Sequence, residues 1–198
     1  ESNEMNAILT HDGTPGGEVN VNLSITDEAQ DSHSCNWVMA EEDLTGDCDS
    51  VNLPIGENTV RVIVTDSYSA MGSLDLTITV EEENATPIAN AGDDIDATLV
   101  HDGVPNEGEI EIIMVASASS DSDGDPLEYS WYPGDLTESD RNSMTGSGST
   151  FTTSLGVGIH YFSVIVEDNY GANDTASVMV TVNAEPNAVP TVSAEVEG

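Results

Sequence analysis

Apolar and polar residues alternate with a period of two along several stretches of this chain. The alternation is clearest in Val19-Asn-Val21-Asn-Leu23-Ser-Ile25, where every second side chain is apolar. Such a pattern predicts a β-strand that buries one face and leaves the other in water. The same alternation occurs in four further stretches, at residues 60–64, 74–80, 162–166 and 176–182. Since no stretch has the period of an amphipathic helix, the pattern predicts an all-β protein.

Turn signals separate the predicted strands. Asp-Gly pairs occur at Asp12-Gly13, Asp102-Gly103 and Asp123-Gly124, and short strands joined by such turns predict β-sandwiches. Trp37 and Trp131 each fall on the third predicted strand of a sandwich. In that position a tryptophan is expected to fill the space between the two sheets, and stacking on a ligand is the alternative.

The chain also contains an internal repeat. The run Leu9-Thr-His11-Asp12-Gly13 returns as Leu99-Val-His101-Asp102-Gly103, and Val62-Ile-Val64-Thr-Asp66 returns as Val164-Ile-Val166-Glu-Asp168. Each unit therefore has about 90 to 100 residues, which is enough for one domain to bury its own core. The sequence thus predicts two tandem β-sandwiches.

Short segments that contain proline mark the ends of the units. We expect domains at residues 1–83 and 84–183, followed at 184–198 by a linker and the start of a third repeat. Linkers of this kind are semi-rigid, so we expect the units to follow one another end to end in an elongated rod.

The start of a third repeat is indicated by a second likeness within the chain. The run Asn187-Ala-Val-Pro190-Thr-Val-Ser-Ala194 echoes Asn84-Ala-Thr-Pro87-Ile-Ala-Asn-Ala91. In the alignment of the first two repeats, Glu1 lies opposite Ala91. We therefore expect the opening strand of the first unit to be truncated and the chain to be a fragment of a longer protein.

The chain is strongly acidic. It has 38 Asp and Glu residues against two arginines, Arg61 and Arg141, and a formal net charge of -36. This balance excludes nucleic acid as a partner, because phosphate binding needs Lys and Arg, and it equally disfavours anionic membranes. The repulsion must be screened by salt or offset by bound divalent cations. An acidic surface suited to saline surroundings and specific cation binding are both compatible with the sequence.

Cys35 and Cys48 are the only cysteines, and they lie in the same unit on either side of an acidic turn that contains glycine. An even pair without further thiols predicts a disulfide between strands, and buried reduced thiols are the alternative. A disulfide indicates an extracellular or cell-surface location. The sequence contains no run of about 18 apolar residues, so it predicts no membrane span within these residues.

The run Asp121-Ser-Asp123-Gly-Asp125 concentrates three carboxylates within five residues. Calcium takes six to eight oxygen ligands at about 2.3 to 2.6 Å, and a flexible loop of this composition suits it. The spacing is not that of an EF-hand, because the glycine is at the fourth position and Tyr132 is at the twelfth. Asx-turns formed by the aspartates are the alternative.

Three runs of the second unit resemble polycystic-kidney-disease-type (PKD) domains. They are Pro87-Ile-Ala-Asn-Ala-Gly92, then Ser120-Asp-Ser-Asp123-Gly-Asp125 before Tyr129-Ser-Trp131, and then Val166-Glu-Asp168-Asn-Tyr-Gly171. The resemblance covers residues 84–183 directly and residues 1–83 only through the internal repeat. It implies an immunoglobulin-like β-sandwich in each unit, with the first as a divergent copy.

The resemblance also implies a set of calcium ligands. Calcium-binding members of the family place ligands in the regions of Asp121, Asp123 and Asp168, with Asn84 as a weaker candidate and Asp125 in the same acidic cluster. Such a site would lie at the junction between domains and stiffen it. In the first unit the corresponding candidates are Asp27, Asp31 and Asp66.

Two functional hypotheses follow. The first is a non-catalytic structural or adhesion module, a calcium-stiffened spacer of a secreted or cell-surface protein, whose partners are neighbouring repeats and a surface protein or polysaccharide. The second is an accessory module of a secreted hydrolase that binds its substrate through exposed aromatic residues such as Tyr68, Tyr132 and Tyr170. No group of residues predicts an enzyme, since the histidines do not cluster in sequence and the chain has no lysine.

Overall fold

A computed structural model describes residues 4–24, 32–40, 42–44, 46–105, 107–134 and 144–195 of the chain. The chain separates into two compact units, Glu1–Asn84 and Ala85–Gly198. Every regular element within the described ranges is a β-strand. Across those same ranges, no helix is long and apolar enough to cross a membrane.

The described residues of the first unit form eight strands in two sheets. The strands are β1 Glu4–Leu9, β2 Glu18–Asn22, β3 His33–Met39, β4 Glu42–Leu44, β5 Gly46–Asp47, β6 Ser50–Pro54, β7 Gly56–Asp66 and β8 Met71–Glu82. One sheet has the order β1-β8-β7-β3-β4 and the other the order β2-β6-β5. β1 pairs with β8 in parallel, and the remaining neighbours are antiparallel.

The core of the first unit lies between its two sheets. Trp37 on β3 is 1% exposed and packs with apolar side chains of both sheets, among them Val51 and Leu53 of β6 and Ile78 of β8. The Trp37 indole satisfies its polar atom by donating from Nε1 to the carbonyl of Asp47 at 2.9 Å. Burying each such large apolar side chain stabilises the fold by about 1.5 to 3 kcal/mol.

The described part of the second unit repeats this layout with seven strands. They are β9 Ile95–Thr98, β10 Ile110–Val115, β11 Glu128–Pro133, β12 Gly146–Ser147, β13 Thr150–Leu155, β14 Gly158–Glu167 and β15 Asn173–Asn183. The sheet orders are β12-β11-β14-β15-β9 and β10-β13, and β9 pairs with β15 in parallel. Trp131 on β11 is fully buried, and its Nε1 donates to the carbonyl of Gly148 at 3.0 Å.

The structure confirms the predicted fold class, an all-β chain of immunoglobulin-like sandwiches. Four of the five alternating stretches lie inside β7, β8, β14 and β15. The remaining stretch forms β2 as far as Asn22, and its last residue, Ile25, lies outside the described residues. The prediction that Trp37 and Trp131 fill the space between sheets is also confirmed.

Cys35 and Cys48 form the predicted disulfide, with an S–S distance of 2.06 Å. The bond joins β3, which belongs to the larger sheet, to the turn between β5 and β6 of the smaller sheet. It therefore crosslinks the two layers of the first sandwich. Closing a loop of this length stabilises a fold by about 3 kcal/mol, mainly by restricting the unfolded chain.

Candidate functional site

The acidic cluster of the second unit lies on the loop between β10 and β11. Asp121 organises this loop, because its Oδ1 accepts the amide N–H of Asp123 at 2.8 Å in an Asx-turn. Gly124 follows with a φ of 84°, a left-handed conformation that a side chain would strain. The other oxygen of Asp121, Oδ2, is buried and accepts no hydrogen bond from the residues that the structure describes.

Asp123 connects this loop to the segment that opens the second unit. Its Oδ2 accepts the amide N–H of Ala85 at 2.7 Å, across 38 positions of sequence. The loop and the opening segment are therefore held together by a carboxylate that is also a predicted metal ligand. A change in the position or charge of Asp123 would directly alter its hydrogen bond with the Ala85 amide.

Asp123 and Asp125 bring two carboxylates close together, with oxygen atoms within 4.8 Å of each other. Asp125 is only 8% exposed. Like charges at this distance repel, and partial burial increases the repulsion. No Lys or Arg side chain offsets it in the described part of the second unit, because Arg61 belongs to the first unit and Arg141 lies outside the described residues.

Asp168 occupies a tight turn between β14 and β15 and is 4% exposed. Its Oδ1 accepts the amide N–H groups of Tyr170 at 2.8 Å and Ala172 at 2.9 Å. Asp66 makes the same pair of contacts in the first unit, to Tyr68 and Ala70, both at 2.8 Å. One carboxylate oxygen of each aspartate is therefore engaged in hydrogen bonds within the turn itself, as the Asx-turn alternative expects.

The structure brings only part of the predicted ligand set together. Among Asp121, Asp123, Asp125 and Asp168, no three carboxylates lie within 4.8 Å of one another. The close pair is Asp123 and Asp125. Asn84 is the last residue of the first unit and is half-buried.

The candidates in the first unit are less well defined. Asp27 and Asp31 lie outside the described residues. Asp66 is half-buried in its turn, with the two amide contacts given above. Within the described ranges, the candidate carboxylates that lie close together therefore belong to the second unit.

Two of the histidines have local roles in the second unit. His101 Nδ1 lies 2.9 Å from Glu185 Oε2, and the same Glu185 oxygen accepts the amide N–H of Asp102. The His160 ring nitrogen Nε2 lies 2.9 Å from the carbonyl of Gly156. These contacts fix the turn after β9 and the loop before β14.

The prediction that Tyr132 is an exposed aromatic is wrong. Tyr132 is 7% exposed, because it lies on β11 opposite Ser163 and close to Ile165, both of which are themselves buried. Tyr68 is 81% exposed and Tyr170 is half-buried. The predicted set of three exposed tyrosines therefore does not form.

Sequence reasoning missed a pocket of about 370 Å³ in the first unit, whose lining mixes apolar residues such as Leu23 and Leu74 with polar ones such as His33 and Asp66. The one available signal was a pair of differences between the repeats. Gly72 and Leu74 occupy the positions that Asp174 and Ala176 hold in the second unit.

Comparison with known proteins decides the family of the second unit. Residues 91–182 match the family model of the K319L-like PKD domain. The second unit therefore belongs to the K319L-like PKD domain family. The match includes the acidic loop, Trp131 and the Asp168 turn of this PKD domain, and it begins only after the first unit has ended.

Two known proteins of the mouse are similar to about two thirds of the chain. The chain is 32% identical over 142 residues to the Dyslexia-associated protein KIAA0319 homolog of Mus musculus. It is 27% identical over 136 residues to the Dyslexia-associated protein KIAA0319-like protein of the same species. These alignments cover 70% and 68% of this chain, and the chain spans only 12% of the length of either relative.

Solved structures of modular proteins are similar over most of the chain. The titin domains Z1Z2 in complex with telethonin align with 90% of this chain and 92% of theirs, at 8% identity and a TM-score of 0.43. The fibronectin(III)-like modules of Clostridium thermocellum CbhA align with 92% of this chain and 90% of theirs, at 15% identity and a TM-score of 0.37. Likeness at this level adds nothing about function.

Proposed function

We propose that this chain is a non-catalytic structural module of an extracellular or cell-surface protein, and that calcium bound at the acidic loop of its PKD domain stiffens it. The observation that carries the proposal is the position of Asp123. Its carboxylate lies beside that of Asp125 and also holds the amide of Ala85, at the start of the unit. An ion at this pair would restrict the motion of the opening segment, which is what a spacer needs.

The donor set suits calcium. Two carboxylates lie close together, and a buried Asp121 oxygen accepts no hydrogen bond from the described residues, so the loop offers hard oxygen ligands. Calcium accepts irregular coordination and completes it with backbone carbonyls and water, whereas magnesium demands near-octahedral geometry. A bound calcium ion would supply the positive charge that the described part of this unit lacks in Lys and Arg side chains.

The disulfide and the charge support the proposed location. The Cys35–Cys48 bond is stable in oxidising compartments and rare in the cytosol. A chain with a net charge of -36 resists aggregation in saline surroundings and avoids polyanions. Its partners in this account are the neighbouring repeats of the same protein, together with a surface protein or polysaccharide that the repeats present or hold at a distance.

Titration calorimetry of the metal-stripped protein tests this function. We expect calcium to bind with a dissociation constant of about 0.1 to 1 mM, the range of extracellular modules. The double variant Asp123→Asn with Asp125→Asn should lose this binding. Asp93→Asn is the matched control, because Asp93 is an exposed carboxylate of the same unit, away from the acidic loop in sequence. Equal loss of binding in the control would show that calcium is held only by the general negative charge.

A further inference from the structure

A histidine side chain lies beside the disulfide of the first unit. A ring nitrogen of His33 and the sulfur atoms of Cys35 and Cys48 all lie within 4.8 Å of one another. Cys48 Sγ also lies 4.0 Å from the carbonyl oxygen of His33. Because His33 is exposed and both cysteines are half-buried, an ion in solution can reach these three side chains.

The fold holds the three side chains together without the help of the disulfide. His33 and Cys35 are two positions apart on β3, so their side chains point to the same face of the strand as the buried Trp37. Cys48 lies on the turn between β5 and β6. Trp37 Nε1 donates to the carbonyl of Asp47, the residue before Cys48, at 2.9 Å. This hydrogen bond still holds the turn beside β3 when the disulfide is open.

The second unit shows that His33 is not needed for the architecture. The two units can be aligned on their buried tryptophans and on the carbonyl groups that accept the Nε1 hydrogens. In this alignment the second unit has, in place of His33, Cys35 and Cys48, the residues Leu127, Tyr129 and Ser149. A disulfide requires only the two cysteines. The histidine is therefore a separate difference, and it adds a nitrogen ligand to two sulfurs.

Two thiolates and one imidazole are a suitable ligand set for zinc. Zinc binds four ligands in a tetrahedron, with Zn–S bonds of about 2.3 Å and Zn–N bonds of about 2.0 to 2.1 Å. These bond lengths place the ligand atoms about 3.5 to 3.8 Å apart. The three side chains reach this spacing once the two sulfurs are no longer bonded at 2.06 Å. Three protein ligands leave the fourth position to water.

We propose that His33, Cys35 and Cys48 bind zinc when the disulfide is reduced. The ion then replaces the covalent bond as the crosslink between the two sheets of the first unit. The site is independent of the calcium proposed at the acidic loop, which belongs to the second unit.

The change from disulfide to zinc site has two balanced steps. A dithiol reductant supplies two electrons and two protons, so the S–S bond breaks, two cysteine thiols form, and the reductant is itself oxidised to a disulfide. Zinc then binds both sulfurs as thiolates, and the two thiol protons pass to water. His33 binds through a ring nitrogen of its neutral form.

The first test compares zinc binding by the oxidised and the reduced protein. The protein is reduced with a dithiol, which is then removed under nitrogen, and zinc is titrated in competition with a coloured zinc indicator. Both forms carry the same 38 acidic residues, so the difference between them isolates the thiolates. We expect one zinc ion per chain, bound at least about a hundredfold more tightly by the reduced form. Equal binding by the two forms would overturn the proposal, because carboxylates would then hold the metal.

The second test asks whether His33 is a ligand. His33→Leu gives the first unit the residue that the second unit has at this position, and it keeps both cysteines. It should still form the disulfide, while its reduced form should bind zinc at least about tenfold more weakly than the parent protein. His101→Leu is the matched control, since it removes a histidine of the second unit and should leave zinc binding unchanged. If His33→Leu binds zinc as tightly as the parent protein, the proposal fails.

The third test distinguishes a folded site from capture of zinc by an unfolded chain. Binding to the folded state alone must raise the unfolding midpoint of the first unit. We expect calorimetry to show this rise with zinc in the reduced protein and not in the oxidised protein. The double variant Cys35→Ser with Cys48→Ser should show no rise. Zinc that binds the reduced protein without raising this midpoint, or that raises it equally in the double variant, would contradict the proposal.

Discussion

Asp168 holds Ala172 in place across the turn between β14 and β15. Its Oδ1 accepts the Ala172 amide N–H at 2.9 Å, and the backbone N–H of Asp168 donates in return to the Ala172 carbonyl at 3.0 Å. This turn lies in the last of the three sequence runs by which the second unit resembles PKD domains. A buried carboxylate can thus be essential to a turn without being a metal ligand.

Substitution of Asp168 separates these two roles. Asp168→Ala removes an acceptor of two amide N–H groups in a buried turn, and we expect it to lower the free energy of unfolding by about 1 to 3 kcal/mol. Asp168→Asn keeps an oxygen acceptor and should cost much less. If calcium stabilises both Asp168→Asn and the parent protein equally in chemical denaturation, Asp168 acts only in the turn. If calcium no longer stabilises Asp168→Asn, Asp168 is a calcium ligand.

The corresponding turn of the first unit contains a strained residue. Ser69 has a φ of 69°, whereas the equivalent position in the second unit is Gly171 with a φ of 86°. A side chain in the left-handed region is unfavourable, so Ser69→Gly should stabilise the first unit by about 0.5 to 1 kcal/mol. Gly171→Ser should destabilise the second unit by a similar amount through the backbone alone, because a Cβ there meets no atom within 4 Å. Urea unfolding of the two variants checks both signs, and destabilisation by Ser69→Gly would contradict the account.

The disulfide should stabilise one unit and leave the other unchanged. Cys35 and Cys48 lie within the first sandwich, and the second has its own core around Trp131. We expect the double substitution Cys35→Ala with Cys48→Ala to lower the stability of the first unit by about 3 kcal/mol. Calorimetry should show one transition displaced to lower temperature and one unmoved. Equal displacement of both transitions would show that the two units unfold as one.

Arg61 and Asp75 give the chain a pH-dependent contact. They face each other on β7 and β8, and the guanidinium donates to both carboxylate oxygens, at 2.6 and 2.9 Å. These hydrogen bonds lower the pKa of Asp75 and raise that of Arg61. Since the pKa of Asp75 is lower in the folded state, its contribution is complete above about pH 4 and is lost as pH falls through the folded-state pKa.

A double-mutant cycle with Arg61→Gln and Asp75→Asn isolates this contact from the repulsion among the other carboxylates. The pair is exposed and screened by solvent, so we expect a small coupling at pH 7 that disappears in acid and weakens in high salt. A coupling energy that is unchanged at low pH would show that the two side chains interact through packing and not through charge.

The sequence predicted the strands and the tryptophan core because burial on one face imposes a period of two. It did not predict the environment of Tyr132. Alternation correctly places Tyr132 on the face opposite Trp131, but it says nothing of what packs there, and in the structure that face is buried around Ile165. The pocket of the first unit was missed for a related reason, because its lining residues, from Leu23 to Leu74, are distant from one another in sequence.

The acidic loop shows the same limit for chemistry. Three carboxylates within five residues suit both an Asx-turn and a cation, and only the structure shows that Asp121 forms the turn while Asp123 approaches Asp125. Asp123 also reaches the backbone of Ala85, 38 positions away, which no local pattern predicts. These two contacts are what link the loop to the proposed role of the module.

Thermal unfolding of the metal-stripped protein, with and without 10 mM calcium at constant ionic strength and with magnesium as control, tests the central claim most directly. With a dissociation constant of about 0.1 to 1 mM, binding to the folded state alone should stabilise the second unit by about 1.4 to 2.7 kcal/mol. The account predicts a rise of several degrees in the unfolding midpoint of that unit with calcium and not with magnesium. No rise, or an equal rise with magnesium, would contradict it and leave the acidity as a property of the surface alone.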